Sequence, residues 1–317
     1  MRNMHITILL TVIIVNLFLL LIPDKYIMHI LFMTFLYTYL GLSWGILTYV
    51  GQLSFGHAAF FAIGAYTSTI LFIRLNVTPW IGMIFGGLIA GMLGIAIGYI
   101  SLRIKGAYFS LTTIAFSQMI MYALLNLKEI TKGPAGIVIP YIRGESGFIY
   151  MQFDGKAPYC LLISNLAILT ALLIYGIRKS KIGYYMRAIA SDEETASGLG
   201  INSIKWKVFA AFLSSFLTAF GGTIYAQYVL YIEPITLAGM NTSFRIIIVS
   251  LLGGLDYILG PFLGAFALIP TTEWLRLMFL ASGGPDLFIF GIILIFLIIL
   301  KPQGLGSIIE EIKRRIR

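Results

Sequence analysis

Charge is scarce in this sequence. Only 11% of its 317 residues are Asp, Glu, Lys or Arg, against 59% hydrophobic, and the mean hydropathy is +0.94. Soluble domains carry about 25% charged residues, so a solvated globular surface is excluded and the chain reads as a polytopic membrane protein. Cysteine is nearly absent as well. The lone Cys160 lies in an apolar run, which rules out a disulfide framework and suits a small buried hydrophobe. Histidine occurs three times, and no His, Cys, Asp and Glu cluster has metal-ligand spacing. No Gly-x-x-x-x-Gly-Lys-Ser/Thr loop occurs, so this chain is not expected to hold ATP in the usual way, nor any cofactor, nor to be an enzyme. The acidic residues nearest the membrane, Glu233, Asp256, Glu273 and Asp286, fall close to the ends of apolar runs. An ion-coupled carrier commonly keeps ionisable groups near the midplane, so energy is expected to enter from a partner. The net charge of +9 would suggest nucleic acid in a soluble protein; here it reads as loop charge that sets topology.

What is present is a series of apolar runs, at about 6–22, 27–48, 53–73, 80–100, 107–127, 159–176, 208–226, 243–259, 261–280 and 286–300. A span needs roughly 20 apolar residues, so about ten transmembrane helices are expected, an all-α membrane domain over residues 1–306. The first run follows Arg2 like a signal peptide, but it lacks an Ala-x-Ala-like site before Pro23 and is read as a span. With both termini cytoplasmic, 14 of the 22 basic residues fall inside: Arg2, Arg103, Lys105, the 178–207 loop and the C-terminal end. Lys25, Arg74, Lys128, Lys132, Arg143, Lys156, Arg245 and Arg276 fall outside, and the bias supports that orientation.

Four stretches are patterned beyond hydrophobicity. In the loop 178–207, a basic helical segment at 182–190 precedes Ser191 and Glu194, whose spacing is that of a capping box starting a helix at about Asp192. Asp192, Glu193 and Glu194 favour the helix start electrostatically, and Gly198 or Gly200 can end it in the left-handed conformation. Such a helix is either a docking surface or a turn in a solvated loop. In 51–57, Gly51 and Gly56 bracket Gln52 and Ser54 ahead of His57, which suggests a broken or re-entrant helix entry lining a pathway. The alternative for His57 is a hydrogen-bonded structural histidine. The outer loop 128–158 is rich in Gly and Pro with aromatics between, either a landing surface for another protein or a self-packed cap. The tail 307–317 has Ser307 and Glu310 in capping-box spacing, then isoleucines on one face and basic residues at its end, an amphipathic helix for the inner membrane surface. Glycines four apart, at Gly41 and Gly45, Gly82 and Gly86, Gly87 and Gly91, Gly94 and Gly98, and Gly260 and Gly264, are placed for close helix packing.

Several of these stretches carry a resemblance. Gly51-Gln-Leu-Ser-Phe-Gly-His-Ala-Ala-Phe, continuing to Gly64-Ala-Tyr66, resembles the signature of the LivM-type permeases of branched-chain amino acid ABC importers. Gly106-Ala-Tyr-Phe, Thr131-Lys-Gly-Pro-Ala-Gly-Ile137, Arg187 through Asn202 and Lys301-Pro-Gln-Gly-Leu305 are similar to further segments of that family, so the resemblance runs from about residue 30 to 305. Asp256 departs from it, standing where the family usually has Gly. The resemblance implies that Glu194, Ala196 and Gly200, with Ser191, belong to a coupling loop seated on a cytoplasmic ATPase. The candidate pathway residues Gly51, Gln52, Ser54, Gly56 and His57 lie within the first of these segments, and Thr131, Gly133 and Gly136, in the candidate outer loop, within another. The resemblance also implies a LivH-like second permease, two ATPase subunits that use the ATP, an extracytoplasmic binding protein, and a place in the inner membrane. Permeases for urea, amides, sugars or other small solutes share much of the pattern, and an ion-coupled secondary carrier is the alternative of another class.

Overall fold

A computed structural model describes residue 19, residues 24–100, 104, 106–142, 147–278, 291 and 304–307. Among these, seven apolar helices are long enough to cross a membrane: α1 (Lys25–Thr48), α2 (His57–Leu75), α3 (Pro79–Ile100), α4 (Ala107–Asn126), α6 (Ala157–Lys179), α9 (Ser203–Val229) and the span Pro234–Gly253. In hydrocarbon every peptide group must find its partner within the protein, which is why long apolar runs close into helices. The last span breaks at Gly239 into α10 (Pro234–Ala238) and α11 (Met240–Gly253). The short elements are α5 (Lys128–Thr131), β1 (Ile137–Val138), α7 (Lys181–Ser191), α8 (Glu193–Gly198) and β2 (Tyr231–Ile232), and α12 covers Gly260–Met278.

The protein is therefore an all-α polytopic membrane chain. Among the described residues seven helices meet that length and apolarity, and the run expected at 261–280 falls in α12. The runs at 6–22 and 286–300, and the tail beyond Ser307 with Glu310, lie outside the described residues, as do Arg103, Lys105, Arg143 and Asp286. The run expected at 243–259 is displaced to Pro234–Gly253, because Pro234 starts a helix well, having no N–H to lose there. Arg245, expected in an outer connection, consequently falls within this span.

The chain divides into two compact units. In the unit formed by the described residues up to Gly41, 155–171 and those from Ile248 onward, Phe35 meets Phe266 edge-on at 5.7 Å and Phe262 at 6.3 Å. Ser250 Oγ donates to the Gly41 carbonyl at 3.2 Å, and the buried Cys160 thiol lies 3.2 Å from the Met28 carbonyl oxygen. The Leu305 amide donates to the Leu252 carbonyl at 2.7 Å, which fastens the turn at 304–307 to the end of α11.

In the unit formed by 42–154 and 172–247, α3 packs on both α2 and α9. Its glycines divide by partner. Gly82 and Gly86 face α2, where a Cβ would meet Ser68 Cα at 2.8 Å and Gly64 Cα at 3.1 Å. Gly87, Gly91, Gly94 and Gly98 face α9, the first two receiving the rings of Phe216, Phe220 and Phe212 and the others lying on Ala211. Between α2 and α9 the contact is again backbone on backbone: Gly64 abuts Ala219 and Gly222 abuts Phe61. Small residues let helices approach where lipid supplies no hydrophobic drive, so α2, α3 and α9 form one tightly seamed bundle.

Candidate functional site

Between the end of α1 at Thr48 and the start of α2 at His57 the backbone is not helical. Backbone bonds to the end of α1 satisfy the amides of residues 49–52, and beyond them side chains take over. Trp44 Nε1 donates to the Ser54 carbonyl at 2.7 Å and Ser110 Oγ to the Leu53 carbonyl at 2.8 Å. The Phe55 amide donates to Thr113 Oγ1 at 2.9 Å, the Gly56 amide to Ser54 Oγ at 3.2 Å, and the Ala58 amide to Ser243 Oγ at 3.2 Å. Gly51 makes the turn at φ +84°, where a Cβ would also meet Ala190 Cα at 3.1 Å. A non-helical segment at membrane depth survives only when clamped in this way.

His57 is fully buried, and its Nε2 lies 2.7 Å from Ser214 Oγ. The Ser214 hydroxyl donates to the Ser43 carbonyl at 2.7 Å, so its oxygen accepts from His57 and the imidazole carries its proton on Nε2. His57 thus ties α2 to α9.

The loop 178–207 folds as expected in kind but not in register. Asp192, not Ser191, caps α8: its carboxylate accepts from the Glu194 amide at 2.9 Å and the Thr195 amide at 3.2 Å, and from Thr195 Oγ1 at 2.8 Å. Ser191 instead closes α7, its hydroxyl donating to the Arg187 carbonyl at 3.1 Å. The capping box of Ser191 with Glu194 is therefore not formed, and α8 runs over Glu193–Gly198. Gly200 is the glycine in the left-handed region, at φ +85°. Ala196 is buried, whereas Ser191, Glu194 and Gly200 are exposed beside Leu199, which is 78% exposed.

These two segments meet at a cavity of about 640 Å³. Gly51, Gln52, Leu53 and Phe55 form one part of its wall, the start of α4 another, and Ile189, Ala190, Glu193 and Lys207 a third. Lys207 is buried on α9, and its Nζ lies 2.6 Å from Glu193 Oε1 on α8. Of the residues expected near a pathway, Gly51 and Gln52 reach this cavity, while Ser54, Gly56 and His57 are taken up in packing. Trp44, Ser110, Thr113 and Lys207 are the participants that sequence reasoning did not single out, and Glu193 was read there only as a helix-start charge.

The description "branched-chain amino acid transport system / permease component" is that of the family whose model matches residues 26–298. The chain belongs to that family. The permease is 26% identical over 294 residues to the high-affinity branched-chain amino acid transport system permease protein LivM of Salmonella typhimurium, an alignment covering 86% of this chain and 68% of the relative. It is 25% identical to the corresponding LivH of the same organism, over 81% of this chain and 86% of the relative. A nucleoside ABC transporter permease protein, NupC of Lactococcus lactis, is 25% identical over 56% of this chain and 59% of its own length. No solved structure matches.

At the far end of α2 the permease carries a second ordered assembly. Arg74 Nη2 donates to the Glu129 carbonyl at 2.5 Å, and β1 pairs antiparallel with β2, Ile137 opposite Ile232. Thr131 Oγ1 donates to the Leu127 carbonyl at 2.8 Å and accepts from the Gly133 amide at 3.2 Å. Gly133 and Gly136 both have positive φ, and a Cβ on Gly136 would stand 2.6 Å from the Ile232 carbonyl oxygen. Thr131, Gly133 and Gly136 thus build the turn that seats β1. The rest of the loop packs on itself and on its neighbours: Trp80 Nε1 donates to the Phe148 carbonyl at 2.7 Å, and the Gln152 amide joins Pro140 to Ile142. Phe148, Val138 and Ile149 nevertheless remain exposed on it.

Proposed function

We propose that this chain is the membrane permease subunit of an ABC importer for branched-chain amino acids, working by alternating access powered by ATP hydrolysis in partner subunits. The observation that carries the reading is the shared cavity: the clamped segment 51–56 and the helix α8 of the coupling loop line one space. Support also comes from the ends of α2. Its 19 residues rise about 28 Å, close to the hydrocarbon thickness of roughly 30 Å; the segment leading into its start lies against Ala190 of α7 and the cavity shared with α8, and its other end meets the β1–β2 cap. An inner docking surface and an outer one on opposite faces are what an importer fed from outside and driven from inside requires.

In this reading α8 with Glu194, Ala196, Leu199 and Gly200 seats on an ATPase, and the 128–158 cap meets an extracytoplasmic binding protein. A LivH-like permease forms the second half, the family relatives including both types. Ten spans, both termini in the cytoplasm, an inner-membrane location, and a membrane-surface tail at 307–317 complete the proposal. ATP binds to the partners, and this chain holds no cofactor. A second reading, another small-solute cargo, is favoured by the nucleoside permease relative.

The test is uptake by proteoliposomes holding the full complex, with labelled leucine, isoleucine, valine, a nucleoside and urea offered separately. ATP-dependent uptake of the three branched-chain amino acids, abolished by Gly200→Arg in a complex of normal yield, is the expected result. Uptake by the isolated chain on an ion gradient alone refutes the importer, and uptake of nucleoside or urea in place of leucine reassigns the cargo.

A further inference from the structure

We propose that the Glu193–Lys207 ion pair is the strut through which α8 moves α9. The inference deepens the importer reading and rests on it. Neither residue is needed to build its own helix: Asp192 caps α8, and Asn202 Oδ1 caps α9 by accepting from the Lys205 amide at 3.0 Å. Yet Lys207 Nζ and Glu193 Oε1 are 2.6 Å apart, with the lysine side chain 7% exposed and the glutamate 24%. An ammonium with so little water depends on its partner, and removing either member strands a charge. A separate tie fastens the rest of α8, Ser197 Oγ lying 2.8 Å from Ser203 Oγ on the first residue of α9. The short helix is thus held to α9 by a charged link near its start and a hydroxyl link near its end.

Beyond Lys207, α9 has no slack. A Cβ on Gly98 of α3 would meet Val208 Cα at 3.2 Å, and further along α9 Gly222 abuts the backbone of α2. A displacement of α8 therefore reaches α9 through the two ties and passes to α2 and α3 by backbone contact. Because Glu193 and Lys207 also form part of the cavity wall, the same displacement alters the space lined by Gly51 and Gln52. The strut converts movement of a surface helix into movement of the wall.

The experiment measures leucine moved per ATP hydrolysed in proteoliposomes containing the full complex. Lys207→Met and Glu193→Gln are each expected to lower that ratio at least tenfold, and the exchange E193K/K207E to bring it back to within threefold of wild type. A second arm replaces the strut rather than its charge. In a Glu193→Gln background, S197C/S203C is expected to regain coupling when oxidised to a disulfide and lose it on reduction. Single variants with a wild-type ratio overturn the proposal. So does failure of both the exchange and the oxidised disulfide to restore it, or single variants whose only defect is low yield with a normal ratio per complex. If the wild-type complex itself moves leucine without ATP, the importer reading falls and the strut falls with it.

Discussion

Replacing Gly222 by alanine adds one methyl group to α9, yet it should be among the most damaging small changes in the protein. The new Cβ would overlap the Phe61 carbonyl and stand 2.9 Å from the backbone nitrogen of Ala65. Both obstacles are main chain, so no rotamer change relieves them, and α2 and α9 must separate locally by roughly 1 Å merely to clear the overlap. Each optimally placed heavy-atom pair contributes about 0.1–0.2 kcal/mol, and such a gap forfeits a quarter to a half of it. Over about 30 pairs along the seam that is roughly 1–2 kcal/mol, and overpacking strain adds about 1–3 kcal/mol. A loss near 3 kcal/mol corresponds to a melting temperature lower by about 6–12 °C for a unit of this size. The control is Gly45→Ala on α1, where a Cβ meets nothing within 4 Å; it should melt with the wild type or slightly above, since alanine costs less backbone entropy in a helix by up to about 1 kcal/mol. Thermal unfolding of the detergent-purified chains, followed by tryptophan fluorescence, decides. If Gly222→Ala melts within about 2 °C of wild type, or if Gly45→Ala is equally harmful, the seam is not the rigid contact argued for.

Three further outcomes follow from the site. Asp192→Ala should remove about 1 kcal/mol of capping from α8 and raise hydrogen exchange of the Glu193–Gly198 amides about fivefold, whereas Ser191→Ala should leave that exchange within twofold; the reverse ranking would restore the capping box to Ser191. Trp44→Phe keeps the ring but leaves the buried Ser54 carbonyl without its donor, a cost of about 1–3 kcal/mol to be read as a lower melting temperature, and an unchanged melt would show that the carbonyl has another partner. Thr113→Val preserves shape while depriving the Phe55 amide of its acceptor, and should cost about as much and increase cysteine-reagent labelling at an introduced Leu53→Cys; unchanged labelling would mean that the segment is held by other contacts.

Much of the frame was legible in the residues because lipid enforces it. Runs of about 20 apolar residues must be helices, and the described spans lie within a few residues of the expected ones from α1 to α6. Glycines spaced by four announced close packing, but not that α3 divides its glycines between two partners, since one periodic pattern suits either face. The capping of α8 slipped by a residue because Ser191 and Asp192 are both good caps; α7 extends one residue past its expected end, and the Ser191 hydroxyl turns back to Arg187. The run was expected to begin only at 243, yet helices start at Pro234 and again at Met240 and draw Arg245 into a span. The clamp on 51–56 was invisible, because its donors and acceptors at 110 and 113 lie more than fifty residues away. Glu193 and Lys207 were unreadable as a pair for the same reason: charges 14 residues apart in separate helices leave no local periodicity.

The contrast between seam and clamp separates what must move together from what can move apart. Sliding α9 on α2 means driving carbonyls through glycine backbones, a steric cost that no solvent can offset. Shifting the 51–58 segment means exchanging side-chain hydrogen bonds from Trp44, Ser110, Thr113 and Ser243, each with a net worth of about 0.5–1.5 kcal/mol when water can replace it. Four such bonds amount to roughly 2–6 kcal/mol, the range in which a ligand or a partner can shift a two-state population from one side to the other, about 5.5 kcal/mol for a swing from 1:99 to 99:1. The cavity lies against that segment. Under the importer proposal, a push delivered at α8 would meet its least resistance in the non-helical segment at Gly51, with α2, α3 and α9 held together by their glycine seams.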